Sequence, residues 1–314
     1  MLEPGFYPDL PPADYFADPC PRPSLTQSIA KILIERSPAH AKAAHPRLAP
    51  DPEPDDDPEK EKYNAAAAIG NAAHSMLLGK SRELMIGDFP SWQSKDAKAF
   101  KAEHEAAGRL IILKKHNKIA LRIVSEARRQ LKEAGMAEAF LIGEGEVCIV
   151  SEEDGHWQRS LVDWMVDPRN FYDLKTTGTS VAPQTIPHRG ATDGWDVQAA
   201  MQERILDALD PRNRGRRRFR FVAIENEPPF ALQIVELSEA WLTMGRKKLE
   251  AAIRIWRHCL DRDEWPAYGP EILLPQYPGY LENRWLEREI DGVGPAAARM
   301  PAGDVDLGNI LRGG

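Results

Sequence analysis

The sequence predicts a protein of the α/β (α+β) class, in which a helical N-terminal half leads into a mixed β-sheet flanked by helices. Three features carry that expectation. Up to about Gly135 apolar residues recur mostly at helical spacing, after Phe140 they gather into short strand-like runs, and from Asp193 helix and strand patterns alternate. At 314 residues, 42% hydrophobic and 28% charged, the chain is long and apolar enough to bury one elaborated core or two modest ones.

The elements follow in order. Residues 1–23 are rich in proline and aromatics without helical periodicity and read as an extended arm. Residues 24–139 form the helical region. Its first helix spans 26–36, with Ile29, Ile32 and Leu33 on one face and Ser37-Pro38 as its stop. Residues 46–62 mix acids with prolines and read as a mobile acidic loop, solvated rather than metal-binding, because the prolines deny the acids a fixed geometry. A helix of small residues over 65–78 carries Gly70 and His74 four apart on one face. Two further helices over 96–135 are joined near 113–117.

The core is placed at 140–268. Runs from Val147, up to Val166 and from Phe171 are separated by the turn-formers EEDG and DPRN, which gives a three-stranded meander. A helix over 193–209 buries Val197, Met201, Ile205 and Ala208, and two strands, FRFVAIE and FALQIVEL, flank Pro228-Pro229. Ser238 then caps a long helix with Leu242, Leu249, Ile253, Trp256 and Leu260 on one face. Residues 269–314 form a C-terminal extension, partly disordered beyond about Glu289.

Bulk chemistry narrows the function. A net charge of −7 argues against a protein that coats nucleic acid over its whole surface, since neutralising phosphates takes clustered Lys and Arg. A local basic groove remains open: residues 212–220, RNRGRRRFR, hold six arginines and no acid. Arg214, Arg216, Arg217 and Arg218 in this run are candidate DNA contacts, or else members of a solvated loop and strand edge. No apolar run is long enough to cross a bilayer and the start lacks a secretory pattern, so a cytoplasmic location with no membrane partner is expected. The cysteines, Cys20, Cys148 and Cys259, are odd in number and scattered, which suits reduced thiols rather than a disulfide framework or an iron–sulfur site.

The candidate chemistry lies in the meander. Asp163 is placed at the end of one strand, and the next strand carries Asp173-Leu174-Lys175, in which alternation turns Asp173 and Lys175 to one face. A hairpin brings Asp163 beside them. Convergent carboxylates repel and call for a cation, and hard oxygen donors suit Mg²⁺ or Mn²⁺. Such an ion polarises a phosphoryl oxygen and activates water, with Lys175 orienting or helping to deprotonate that water. A cross-strand salt bridge is the plainer alternative. Glu146 on the preceding strand is a further acid near the metal or a solvent-facing one. His74 is a ligand or a hydrogen-bonded core histidine. Gln198 and Gln202, one turn apart on the helix after the DLKTT loop, contact the scissile strand, hold the lysine, or merely sit polar on a half-exposed face.

Seven stretches in order, LTQSIAKILIERSPAH, AAAIGNAAHSMLLG, GEGEVCIV, SLVDWMV, FYDLKTT, WDVQAAMQ and FVAIENEPPFALQIVEL, resemble the PD-(D/E)xK nuclease superfamily, within it the exonuclease VIII (RecE-like) and lambda-exonuclease-like branch. The resemblance spans roughly residues 24–268. It implies a restriction-endonuclease-like core, Mg²⁺ dependence and exonuclease action on duplex DNA with free ends, usually 5′ to 3′, in phage-type recombination or repair. It further implies a single-strand annealing protein as partner and a homo-oligomer that encloses the substrate. Carried over by position, Asp163 and Asp173 bind metal, Lys175 is the catalytic lysine and His74 the metal-proximal histidine. Glu146 matches the acid of the first core strand and Gln198 the glutamine of the following helix. Two departures stand out: Val162 replaces the usual proline before the first aspartate, and Gln202 replaces the tyrosine of a Gln-x-x-x-Tyr motif. The first removes no functional group, whereas the second removes a hydroxyl and bears on DNA contacts and polarity. Other readings on the same fold are a DNA-binding protein without turnover and an endonuclease.

Overall fold

The computed structural model describes residues 1–49, 64–78 and 83–290 and falls into two units, Met1–Ala267 and Tyr268–Gly314. In the first unit a seven-stranded sheet has the order β1 (Gly5–Tyr7), β5 (Glu144–Glu153), β6 (His156–Asp167), β7 (Asn170–Thr177), β8 (Arg218–Glu225), β9 (Leu232–Glu236), with the two-residue β2 (Ser24–Leu25) paired to β6. Strands β5, β6 and β7 form the antiparallel meander, β7 and β8 run parallel, and β8 and β9 are antiparallel. A parallel pair needs a crossover, supplied here by α7 (Ile186–Asp193) and α8 (Trp195–Leu209).

Helices cover both faces, so side chains alternate between two cores. On one face α2 (Gln27–Glu35), α8 and α9 (Glu239–Arg262) bury Ile149, Phe171, Phe221 and Trp256. On the other, α4 (Ala65–Leu78) and α6 (Lys114–Glu133) bury Tyr172, Leu174, Val222 and Ile224. Along β7, Phe171 therefore enters the α8 side and Tyr172 and Leu174 the α4 side, which sends Asp173 and Lys175 toward α8.

Several expectations are corrected. Residues 1–23 are not an extended arm: β1 joins the edge of the sheet against β5, and α1 (Pro12–Phe16) follows it. The helices α5 (Lys95–Ala106) and α6 are joined by a strand, β4 (Leu110–Leu113), which pairs in parallel with β3 (Leu84–Gly87). Four apolar residues in a row are short enough to pair as a strand wherever a neighbour offers free backbone groups. The helix expected from 193 begins at Trp195, because Gly194 at φ +81° ends α7 and turns the chain into α8. Ser238 occupies the N-cap of α9 but its hydroxyl makes no capping bond. All three cysteines are buried free thiols. Residues 50–62 of the acidic loop, and the tail from 291, lie outside the described residues. Within the second unit, α10 (Gly279–Ile290) is helical. Among the described residues no helix is long and apolar enough to cross a membrane.

Candidate active site

The site sits where the sheet divides. Strands β6 and β7 pair only from Asp167–Asn170 to Trp164–Tyr172. Beyond that, β7 stays with β8 as far as Thr177, while β6 keeps β5 and takes β2 at Trp157 and Gln158. Asp163 lies inside β6 rather than at its end, at the first position past the division. Its Oδ2 accepts the Leu174 N–H at 3.0 Å, taking over a backbone donor that the lost ladder would have paired.

The opening lets groups from both faces meet. From α4, His74 Nε2 stands 2.9 Å from Asp163 Oδ2 and its Nδ1 3.7 Å from Glu146 Oε1. Glu146 lies between the pairs Gly145–Trp164 and Val147–Val162, hence opposite Asp163, and takes a left-handed φ of +53°. Facing acids on neighbouring strands repel, and a non-glycine residue in that conformation is strained; the histidine between them offsets part of that cost. Gly70 explains how α4 comes so near, since a Cβ there would stand 2.5 Å from Thr176 Oγ1 on β7. One turn later the helix presents His74 to the acids.

On the α8 side, Lys175 Nζ is 2.6 Å from Asp173 Oδ1 and donates to Gln198 Oε1 at 3.0 Å, while Gln198 Nε2 donates to Asp173 Oδ2. Gln198 thus bridges the acid and the lysine. Asp173 Oδ1 is buried, and its close partner among the described residues is the Lys175 ammonium. Burial first, then the charge of Asp163, push the Asp173 carboxyl up to about 6, against the pull of Lys175 and Gln198. For Asp163 burial works in the same sense, yet His74 and Lys175 hold its pKa below the usual value. Burial opposes charge on Lys175 and His74 too, but Asp173 and Asp163 outweigh it at the lysine, and Asp163, Asp173 and Glu146 at the histidine, so both pKa values are raised.

Three carboxylates therefore share the division with one lysine and one histidine. Among the described residues no three His, Cys, Asp or Glu side chains have the spacing of a preformed metal cage. The donor set fits a hard divalent cation nonetheless: it is made of carboxylate oxygens and one imidazole, with the buried Asp173 carboxyl repelled by the charge of Asp163.

The remaining candidates separate. Gln202 is buried and donates to the Leu161 carbonyl at 3.4 Å, so it faces the sheet and is not placed to contact DNA. Arg217 is buried as well: it pairs with Asp207 and donates to the Leu206 and Asp210 carbonyls, fixing the loop after α8. Arg214, Arg216 and Arg218 are exposed, with Arg214 3.3 Å from Asp207 and Arg218 3.8 Å from Glu236. They follow the C-terminal end of α8, which is itself about 16 Å along the helix from Gln198. Sequence reading missed Thr176 and Phe16, which line a cleft of about 300 Å³ with His74 and Glu146. Thr176 was signalled only by its place beside Asp-x-Lys, and Phe16 by nothing local.

The PDDEXK-like domain of unknown function (DUF3799) matches residues 28–273. In structure the chain is similar to a crystallised Eubacterium rectale protein provisionally named an exonuclease, with a TM-score of 0.56 and 14% identity over 88% of this chain and 98% of that one. The alkaline exonuclease LHK-Exo from Laribacter hongkongensis aligns over 63% of this chain and 95% of its own, at 16% identity and a TM-score of 0.23. Its complex with dAMP aligns over 63% and 96%, at 15% and 0.21. Among curated protein sequences none matches the chain. The family match runs from α2 to beyond α9 and takes in the divided sheet with its Asp…Asp-x-Lys set, and by it the chain belongs to the PDDEXK-like family DUF3799, within the PD-(D/E)xK nuclease superfamily.

Proposed function

We propose that the chain is a metal-dependent deoxyribonuclease that hydrolyses phosphodiesters at the ends of duplex DNA. The observation that supports this most is Asp173: a buried acid whose pKa is pushed up by burial and by a second acid, with Lys175 and Gln198 fixed on its flanks.

Asp163 and Asp173 would hold Mg²⁺ or Mn²⁺, with Glu146 and His74 beside them. When bound, the ion supplies charge neutralisation at the phosphoryl group and a lowered pKa for water. Lys175, beside both aspartates, would orient the attacking water or help to deprotonate it, and would stabilise the charge that builds on the phosphoryl oxygens as water adds to phosphorus and one ester P–O bond breaks. Gln198 fixes the direction of Asp173 and Lys175, and His74 that of Asp163. Exposed Arg214, Arg216 and Arg218 suit contacts to phosphates farther along the duplex.

The order of motifs supports the finer reading of a RecE-like exonuclease. In that reading digestion runs 5′ to 3′, the chain acts as a homo-oligomer around its substrate, and the exposed strand passes to an annealing protein in phage-type recombination or repair. Linear and covalently closed duplexes of one sequence, each incubated with Mg²⁺, test it. Loss of the linear form alone is the expected result. Cutting of the circle would make the chain an endonuclease, and survival of both in Mg²⁺ and in Mn²⁺ would leave a DNA-binding protein without turnover.

A further inference from the structure

The cleft that holds His74 and Glu146 is walled in part by a segment outside the family match. Helix α1 precedes residue 28, yet Pro12 and Phe16 line this cleft together with Asn71, Leu161 and Thr176. The wall is firmly anchored. Strand β1 pairs with β5, Tyr15 is buried with its ring 5.2 Å below the Arg159 guanidinium, and Arg159 Nε donates to the Tyr15 carbonyl at 3.2 Å. Three residues on, Asp18 accepts from Ser24 N–H and Ser24 Oγ and pairs with Arg159 at 2.8 Å.

Tyr15 holds the helix, and Phe16 shows its ring. Phe16 is 56% exposed and lines the same cleft as Glu146 and as His74, whose Nε2 stands 2.9 Å from Asp163. With about 300 Å³ the cleft stands at the small end of ligand sites, the room of one nucleotide rather than of a duplex. Every nucleobase has a π-face, and stacking on an aromatic ring is the sequence-tolerant way to hold one. A ring carried on a backbone already fixed to the sheet asks for little further ordering of the chain on binding.

We infer that Phe16 is a substrate-binding residue, on which a base of the cleaved strand next to the scissile phosphate stacks. The inference rests on the nuclease reading above and adds what that reading lacks, a contact to a base and a task for the N-terminal segment. Phe16 steadies an unpaired or frayed terminal nucleotide while its phosphate lies against the acids.

The test compares wild type, Phe16→Ala and Phe16→Trp on end-labelled linear duplexes in Mg²⁺. One duplex is intact and the other carries abasic residues at its terminal positions. On the intact duplex Phe16→Ala should lower kcat/KM about tenfold and Phe16→Trp should restore most of it. On the abasic duplex wild type and Phe16→Ala should differ by less than twofold. Should alanine lower the melting temperature, Phe16→Leu, which keeps apolar bulk without a π-face, carries the same comparison. Equal losses on both duplexes would overturn the inference and leave the nuclease reading standing. Absence of any metal-dependent digestion by wild type would remove both.

Discussion

Arg159 reaches Asp18 at 2.8 Å and Lys175 reaches Asp173 at 2.6 Å, so each of these two buried acids of the first unit lies beside a cation. Around Asp18 the partners are many: Ser24 gives a backbone and a hydroxyl donor, His45 Nε2 stands 3.3 Å away and the Arg47 guanidinium 3.8 Å away. Burial alone would raise its pKa, but these partners hold it below the usual value. Asp173 instead faces a second acid, and burial together with that acid's charge pushes its pKa up despite Lys175 and Gln198. The first acid ties the N-terminal segment to β6; the second carries a repulsion that its partners leave unrelieved. That contrast separates an acid whose partners outweigh burial from one whose partners do not.

The comparison can be broken in several ways. The largest effect belongs to Asp173→Asn, expected to lower metal-dependent digestion on the order of a thousandfold. In a chelator its melting temperature should stay at or above that of wild type, because a repelled charge has gone. A drop of several degrees would place Asp173 with the structural acids. Asp18→Ala should do the reverse, costing about 3 to 5 kcal/mol of stability by leaving Arg159 buried without its partner, as read by denaturant unfolding. The sign of its pH dependence follows from its lowered pKa. The stability it gives is complete above an ordinary aspartate's 3.8 and is lost as pH falls through the lower folded value, so the variant should lack that last step of acid unfolding.

Next in size is the effect of the cation. Mg²⁺ or Mn²⁺ at a hundred times its Kd should stabilise wild type by about 2.7 kcal/mol and leave Asp163→Asn unmoved in a thermal-shift titration. An equal shift in both proteins would place the ion elsewhere. The smallest effect is that of exposed arginines. Arg214→Ala and Arg216→Ala should each lessen the salt dependence of DNA binding by about one unit of slope, whereas Arg217→Ala should lower the melting temperature and leave the slope of the folded protein unchanged.

How far the sequence shows this contrast depends on the range of each signal. Alternation along FYDLKTT put Asp173 and Lys175 on one face, and the spacing of Gly70 and His74 put a histidine one turn beyond a close approach; both are local patterns. The division between β6 and β7 is not local. It depends on which partners β6 finds, among them the two residues of β2 more than a hundred positions earlier, so Asp163 read as a strand end when it lies inside one. Distance hid the N-terminal segment in the same way: β1 has three residues, and only its pairing with β5 makes it a strand. Arg217 carries no mark in RNRGRRRFR that sets it apart from its neighbours, because its burial is decided by Asp207 and the end of α8. Gln202 follows Gln198 by one turn on the helix, but α8 is packed deeply enough that this position meets a strand carbonyl instead of substrate.

The central claim is that the acids and the lysine at the divided sheet hydrolyse DNA together with a divalent cation. Release of label from a linear duplex, by wild type and by Lys175→Ala, with Mg²⁺ and then with chelator, tests it most directly. Rapid release by wild type in Mg²⁺, none in chelator and none from a folded Lys175→Ala protein is the predicted result. Undiminished release by the lysine variant, or by wild type stripped of metal, would contradict it.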